Sequence, residues 1–237
     1  CARAPEPGDA FDDELSAVRA ARRAAGVSAP LQLLFGSEFR FDGQGTLVAI
    51  ARDLHSWGDL CSFITACRRA APKGHHALPP LAQALAALRR CALLWAPAKE
   101  GSTAIDSIAA CALQTSVSGP FDSKITLLAE LHGGADDALW LAQLRALSAA
   151  TGWPLAAAGD VHMHVRARKR LHDVMTAIRV GQPVHACGFA LQANAERHLR
   201  PRERLAAVYP PDLLAATLAV AARCAFGLDE IQYNYPE

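Results

Sequence analysis

Five short apolar runs alternate with longer stretches of helical periodicity, and this alternation restricts the chain to an α/β fold. The runs are 31–35 (LQLLF), 46–51 (TLVAIA), 91–95 (CALLW), 125–131 (ITLLAEL) and 154–158 (PLAAA). Helices are expected over 9–26, 56–69, 81–88, 100–113, 136–152 and 169–180, the last closed by Gly181, and from Pro210-Pro211 to about residue 226. The first has Asp12, Asp13 and Glu14 at its start and Arg19, Arg22 and Arg23 towards its end, as the helix dipole favours. The segment 72–80 reads as a loop. The order strand, helix, strand, helix argues for parallel strands joined by crossover helices, in a barrel or a doubly wound sheet. An aromatic content of 6% and abundant alanine fit that class better than an all-β one.

A net charge of +1 provides no global basic field, so contact with nucleic acid would have to be local. The seven cysteines are odd in number and have no CxxC spacing. Set among Ala and Leu, they read as small buried hydrophobes of a reducing cytosol. No uncharged apolar run approaches the ~20 residues that span a bilayer, and the start has no signal-peptide pattern. A cytoplasmic protein without membrane contact is expected. The chain opens on Cys1 without an initiator Met, so it is expected to be a piece of something longer.

Three places carry metal-ligand residue types at the carboxyl ends of expected strands. They are Glu38 after LQLLFGS, His132 (with Glu130) in ITLLAELH, and Asp160, His162 and His164 after PLAAAG. In barrels of parallel strands that end builds the active site. Side chains alternate along extended chain, so Asp160 and His162 point the same way. Such oxygen and nitrogen donors suit Zn or Mn. The bland reading stands beside this one: an Asp and two His in a strand-to-helix loop also serve as turn and surface residues. Glu130 reads equally as a surface carboxylate, and His55, His75 and His76 as solvent-exposed. The basic run Arg166, Arg168, Lys169 and Arg170, and the Arg-rich stretch with Arg197 and Arg200, are either phosphate contacts or solvated helix starts. No phosphate-binding Gly loop and no GxSxG elbow occurs.

The strings GDVHMH (159–164) and NAERHLR (194–200), with LLFGSEFRF and LAELHGGADD upstream, resemble the error-prone, ImuC-type relatives of the replicative polymerase α subunit. The resemblance covers about 31–237. It implies a polymerase-and-histidinol-phosphatase (PHP) domain, a distorted (β/α)7 barrel of TIM type, present here in part. In that family a metal cluster sits at the strand ends, and Glu38, His132, Asp160 and His162 match ligand positions. The resemblance divides the chain into a diverged or inserted segment 1–30, the barrel 31–190 and a helical extension 191–237. The family's first strands and the palm that holds Mg in its polymerase core have no counterpart here, so no catalytic residue for DNA synthesis is expected. The parent would be a DNA-directed DNA polymerase of damage-induced mutagenesis, acting on DNA with an ImuB-type partner and the sliding clamp. The domain itself would be a scaffold, or a metal-dependent phosphoesterase such as a 3′–5′ exonuclease or pyrophosphatase. NAERHLR argues against a free-standing small-molecule phosphatase.

Overall fold

The computed structural model describes residues 32–99 and 125–232. The chain divides into two units, Cys1–Leu33 and Leu34–Glu237, and the fold below is that of the second. The helices expected over 9–26 and 100–113 lie outside the described residues, as does the 1–30 segment.

Five strands form one sheet in sequence order: β1 (Gly36–Phe41), β2 (Gly45–Ile50), β3 (Ala92–Pro97), β4 (Thr126–Glu130) and β5 (Leu155–Ala158). Six α-helices accompany it among the described residues. They are α1 (Leu54–Arg69), α2 (Leu81–Ala87), α3 (Asp137–Thr151), α4 (Lys169–Val180), α5 (Arg202–Val208) and α6 (Pro211–Ala222). The class is mixed α/β, and among the described residues the sheet is open rather than closed on itself.

The all-parallel expectation holds for β3, β4 and β5 only. β2 runs antiparallel to both β1 and β3. The Asp42-Gly43 turn sets the reversal between β1 and β2. Gly43 takes a φ of 69° and Gln44 N–H donates to the Phe41 carbonyl at 3.0 Å, closing a hairpin too short for a crossover. The expected strand over 31–35 is a second correction. The described part of that run is not strand, and β1 starts at Gly36. Phe35 instead packs edge-on against Trp57 and Phe226, at 6.4 Å and 5.7 Å. Period-two alternation picks out the true strand, because Phe39 and Phe41 are buried while Glu38 and Arg40 point the other way.

The two sheet faces have different roles. Phe39, Leu47, Ala49, Leu93, Trp95, Leu127 and Leu155 form the main core with α1, α2 and α3. The opposite face packs Leu94, Leu128 and Ala156 against Val220 and Cys224, at and just beyond the end of α6. There the Thr217 hydroxyl donates to the Ala157 carbonyl at 2.8 Å. α1 begins two residues earlier than expected because Asp53 caps it: Ser56 N–H donates to Asp53 Oδ1 at 2.8 Å, which holds the carboxyl below its ordinary range. α6 stops at Ala222, short of the expected 226, and Cys224 and Phe226 turn into the interior. Of the described cysteines, Cys67, Cys91, Cys187 and Cys224 are buried as expected and Cys61 is exposed.

Candidate functional site

The carboxyl ends of the parallel strands β4 and β5 lie side by side, with Glu130 opposite Ala158. Beyond them the chain continues through His132 on one side and Gly159-Asp160 on the other. Asp160 is the one non-glycine residue among those described with a positive φ, 40°. Aspartate tolerates this region better than most residues, but the conformation still costs about 1 kcal/mol. It turns the carboxylate back over the strand ends, where Oδ1 lies 3.0 Å from His162 Nε2. His132 Nε2 lies 3.1 Å from the Gly159 carbonyl. A carbonyl only accepts, so this nitrogen carries the hydrogen and ties the two loops together.

The segment 194–200 (NAERHLR) closes over this end of the sheet. Asn194 Nδ2 donates to the His132 carbonyl at 2.6 Å. Glu196 is buried and pairs with Arg166 and, at 3.8 Å, Arg204. Arg197 pairs with Asp160. The Arg197 carbonyl accepts from the amides of His162 and Met163 at 2.9 and 3.1 Å, and Leu199 N–H donates to the Met163 carbonyl at 3.0 Å. Met163 and His198 thus form an isolated parallel bridge. Arg200 is buried: Nη1 donates to the Leu131 carbonyl at 2.9 Å and Nη2 to the Tyr209 hydroxyl at 3.1 Å. Tyr209 in turn donates to the Ala158 carbonyl at 2.6 Å and accepts from Leu131 N–H at 3.1 Å. GDVHMH and NAERHLR, 30 residues apart in sequence, are therefore one structural unit, a clasp across the ends of β4 and β5.

A cavity of about 1530 Å³ lies on the sheet face turned away from α1, and Glu38, Glu130, His132, Asp160, His162 and Arg197 all line it. Burial pushes the Glu130 carboxyl up; Arg197 opposes that and Glu38 adds to it. Burial, then the charge of Arg197, pulls His132 below its ordinary value, so it stays neutral at pH 7. Burial also lowers Arg197, against the pull of Glu130.

The four expected ligand residues share the cavity but not a common point. Glu38 stands in mid-strand rather than at a strand end, paired to Arg40 at 2.8 Å. His132 is committed to Gly159, and Asp160 to Arg197 and His162. Among the described residues no three His, Cys, Asp or Glu side chains gather closely enough to hold an ion. As they stand, these side chains do not make a Zn or Mn site.

No family model matches the chain. It is 41% identical over 211 residues to the error-prone DNA polymerase of Dechloromonas aromatica (strain RCB), covering 87% of this chain and 20% of that protein. It is 40% identical over 228 residues to that of Methylococcus capsulatus, covering 96% and 21%. The error-prone DNA polymerase of Azoarcus sp. (strain BH72) matches at 39% over 240 residues, covering 100% of this chain and 21% of its own length.

The chain is a relative of the error-prone DNA polymerases. It spans about a fifth of their length. The Azoarcus match covers the whole chain, so both halves of the clasp fall within sequence similar to an error-prone DNA polymerase.

The basic residues of this polymerase relative divide by environment. Arg168 and Arg170 are exposed, whereas Arg166 is tied to Glu196 and Lys169 to Asp173 at 2.7 Å, one helical turn on. Arg200 is turned inward, away from any phosphate. His55, His75 and His76 are exposed, as expected. His164 is exposed as well, and His172 is half-buried with its ring edge-on to His162 at 5.3 Å. Sequence reasoning did not single out Tyr209 or Asn194, because their partners are backbone groups supplied by remote strands. Nor did it find α5, although Pro201 before Glu203 is a helix-start signal.

Proposed function

We propose that the chain is the PHP-type portion of an error-prone DNA-directed DNA polymerase, and that it works there as a scaffold. On this reading the sheet is part of a distorted (β/α)7 barrel and residues 191–237 lead towards the polymerase core. DNA synthesis, with its Mg, its DNA contacts and its clamp and ImuB-type partners, belongs to the remainder of the protein. The observation that carries the scaffold role is the clasp. The polar groups at the ends of β4 and β5 are spent on one another, with Arg197 on Asp160, Arg200 on Leu131 and Tyr209 on Ala158.

A second feature supports docking onto a larger body. α4 leaves Leu171, Met175 and Ile178 exposed along one face, Ile178 at 75%, and Phe189 beyond it is fully exposed. Apolar side chains at this spacing make one stripe, and a contiguous stripe marks an interaction surface. The rest of the polymerase, about four-fifths of it by the relatives' length, is the occupant we assign to it.

The alternative is a metal-dependent phosphoesterase, favoured by the Asp160–His162 pair facing a cavity that also holds Glu38, Glu130 and His132. Asp160→Ala combined with His162→Ala in the complete polymerase separates the two. The scaffold reading predicts a lowered melting temperature for the double variant, because Arg197 loses its partner Asp160 in the clasp, and no 3′ end-labelled DNA degraded by either protein. Wild-type nuclease activity that the double variant abolishes would establish the phosphoesterase instead.

A further inference from the structure

The net charge of +1 conceals an uneven distribution. Residues 60–99, about a sixth of the chain, hold six of its 24 Lys and Arg and none of its 23 Asp and Glu, so this stretch carries +6 and the remainder −5. Two of the six are matched from outside the stretch, Arg90 by Asp59 and Lys99 by Asp136 and Asp137. Arg68, Arg69 and Lys73 form no ion pair among the described residues, and they are exposed, as are His75 and His76 beside them. We propose that the carboxyl end of α1 and the loop after it, with Arg68, Arg69, Lys73, His75 and His76, form a surface that binds the phosphate backbone of DNA without regard to its sequence.

α1 buries Leu60, Phe63 and Cys67 and leaves Arg68 and Arg69 exposed in its last turn. The loop folds back on that end: Ala77 N–H donates to the Cys67 carbonyl at 3.0 Å, and His75 N–H to the Pro72 carbonyl at 3.0 Å. The segment that carries Lys73, His75 and His76 is thereby pinned to the helix end. The helix dipole favours cations in a last turn, which accounts for Arg68 and Arg69 alone. It accounts neither for the three basic side chains beyond the helix nor for the lack of any acid among them, where a plain solvated surface mixes both signs. Arginine meets phosphate with a planar fork of donors, lysine with a point charge, and an imidazole ring offers an N–H even when neutral. A protein partner would call for apolar anchors, yet among the described residues of 60–99 no large apolar side chain is exposed. A polyanion without apolar groups suits the surface better, and the relatives are DNA polymerases. α1 packs on the sheet face opposite the cavity, so this surface is separate from Asp160 and His162. The inference goes beyond the scaffold reading and does not depend on it: the DNA contacts of synthesis stay with the remainder of the polymerase, and this one lies outside them.

Fluorescence anisotropy of a labelled DNA duplex of about 20 base pairs, titrated with the intact chain over a series of salt concentrations, tests the proposal. Wild type is expected to bind at about 50 mM salt, with log Kd rising on log salt at a slope of about 3, one for each phosphate met by Arg68, Arg69 and Lys73. Arg68→Gln, Arg69→Gln and Lys73→Gln together are expected to weaken binding there at least about tenfold and to remove most of that slope. R68K with R69K keeps the charge and should stay within about threefold of wild type. Arg168→Gln with Arg170→Gln, at the exposed start of α4, should bind as wild type does. Equal binding by wild type and the triple variant, or none by wild type, overturns the proposal, as does a loss confined to the Arg168 and Arg170 pair. Poly-glutamate competing as strongly as DNA, charge for charge, would give the surface to an acidic protein and overturn the DNA assignment. The three substituted side chains are exposed, so the triple variant is expected to melt with wild type. If it does not fold, Lys73→Gln alone decides: a salt slope lower by about one sustains the proposal, and an unchanged slope overturns it.

Discussion

Replacing Arg200 by Ala is expected to destabilise the chain by about 3 kcal/mol, with the loss measured by urea unfolding. Arg200 is 8% exposed, and its guanidinium lies 5.3 Å from the centre of the Tyr209 ring. Removing it leaves the Leu131 carbonyl with only the longer 3.4 Å contact from the Tyr209 hydroxyl, which is already bonded to Ala158. It also opens a void beside a ring that is 2% exposed. Hydrogen bonds from charged donors contribute about 1.5–3 kcal/mol, and the void adds to this. Lysine should not rescue fully, because a single ammonium does not reproduce the guanidinium fork that reaches Leu131 and Tyr209 together. A loss below about 1 kcal/mol would mean that the ends of β4 and β5 are held by something other than the clasp.

Leu127→Ala is expected to cost about 3–4 kcal/mol by the same measurement. Leu127 is fully buried in β4, opposite Trp95 of β3 and Leu155 of β5, which are themselves 1% and 9% exposed. The strand is flanked on both sides, so the backbone has little freedom to collapse into the space left by the side chain. Its value at this position comes from coupling the two regions of the sheet. Through β3 it reaches the antiparallel hairpin, and through β5 the loop that carries Asp160. Leu127→Met, which nearly conserves volume, should cost under about 1.5 kcal/mol. A small effect for Ala would place the core elsewhere than between β4 and α3.

The parts of the fold that periodicity encodes are legible in the sequence. β2 to β5 and the helices α1 to α4 fall close to their expected ranges, because the strands are short apolar runs and the helices carry apolar residues at a spacing near 3.6. Gly181, left-handed at φ 73°, closes α4 where expected. β1 falls later than expected because an apolar run looks like a strand whether it pairs or packs as a plug, and Phe35 packs as a plug beside Trp57 and Phe226. Strand direction is lost at the hairpin, since composition does not distinguish a two-strand return from a crossover except through the length of the turn.

The site is legible in a different sense. GDVHMH and NAERHLR stand out as unusual strings, and the structure joins them. Their joining depends on main-chain hydrogen bonds between residues 162–163 and 197–199, for which side-chain identity gives little signal. Arg197 and Arg200 read alike in sequence. One faces a carboxylate at the cavity and the other a carbonyl in the interior, and only the path of the backbone separates them.

A scaffold built on the clasp requires the clasp to be part of the folded core rather than a loop laid on it. Native-state hydrogen exchange at the amides of His162, Met163 and Leu199 tests this most directly, because all three donate across the clasp. They are expected to exchange with the same free energy of opening as the β5 amides, and only when the unit unfolds. Exchange near the unprotected rate at these three amides, with β5 still protected, would contradict it.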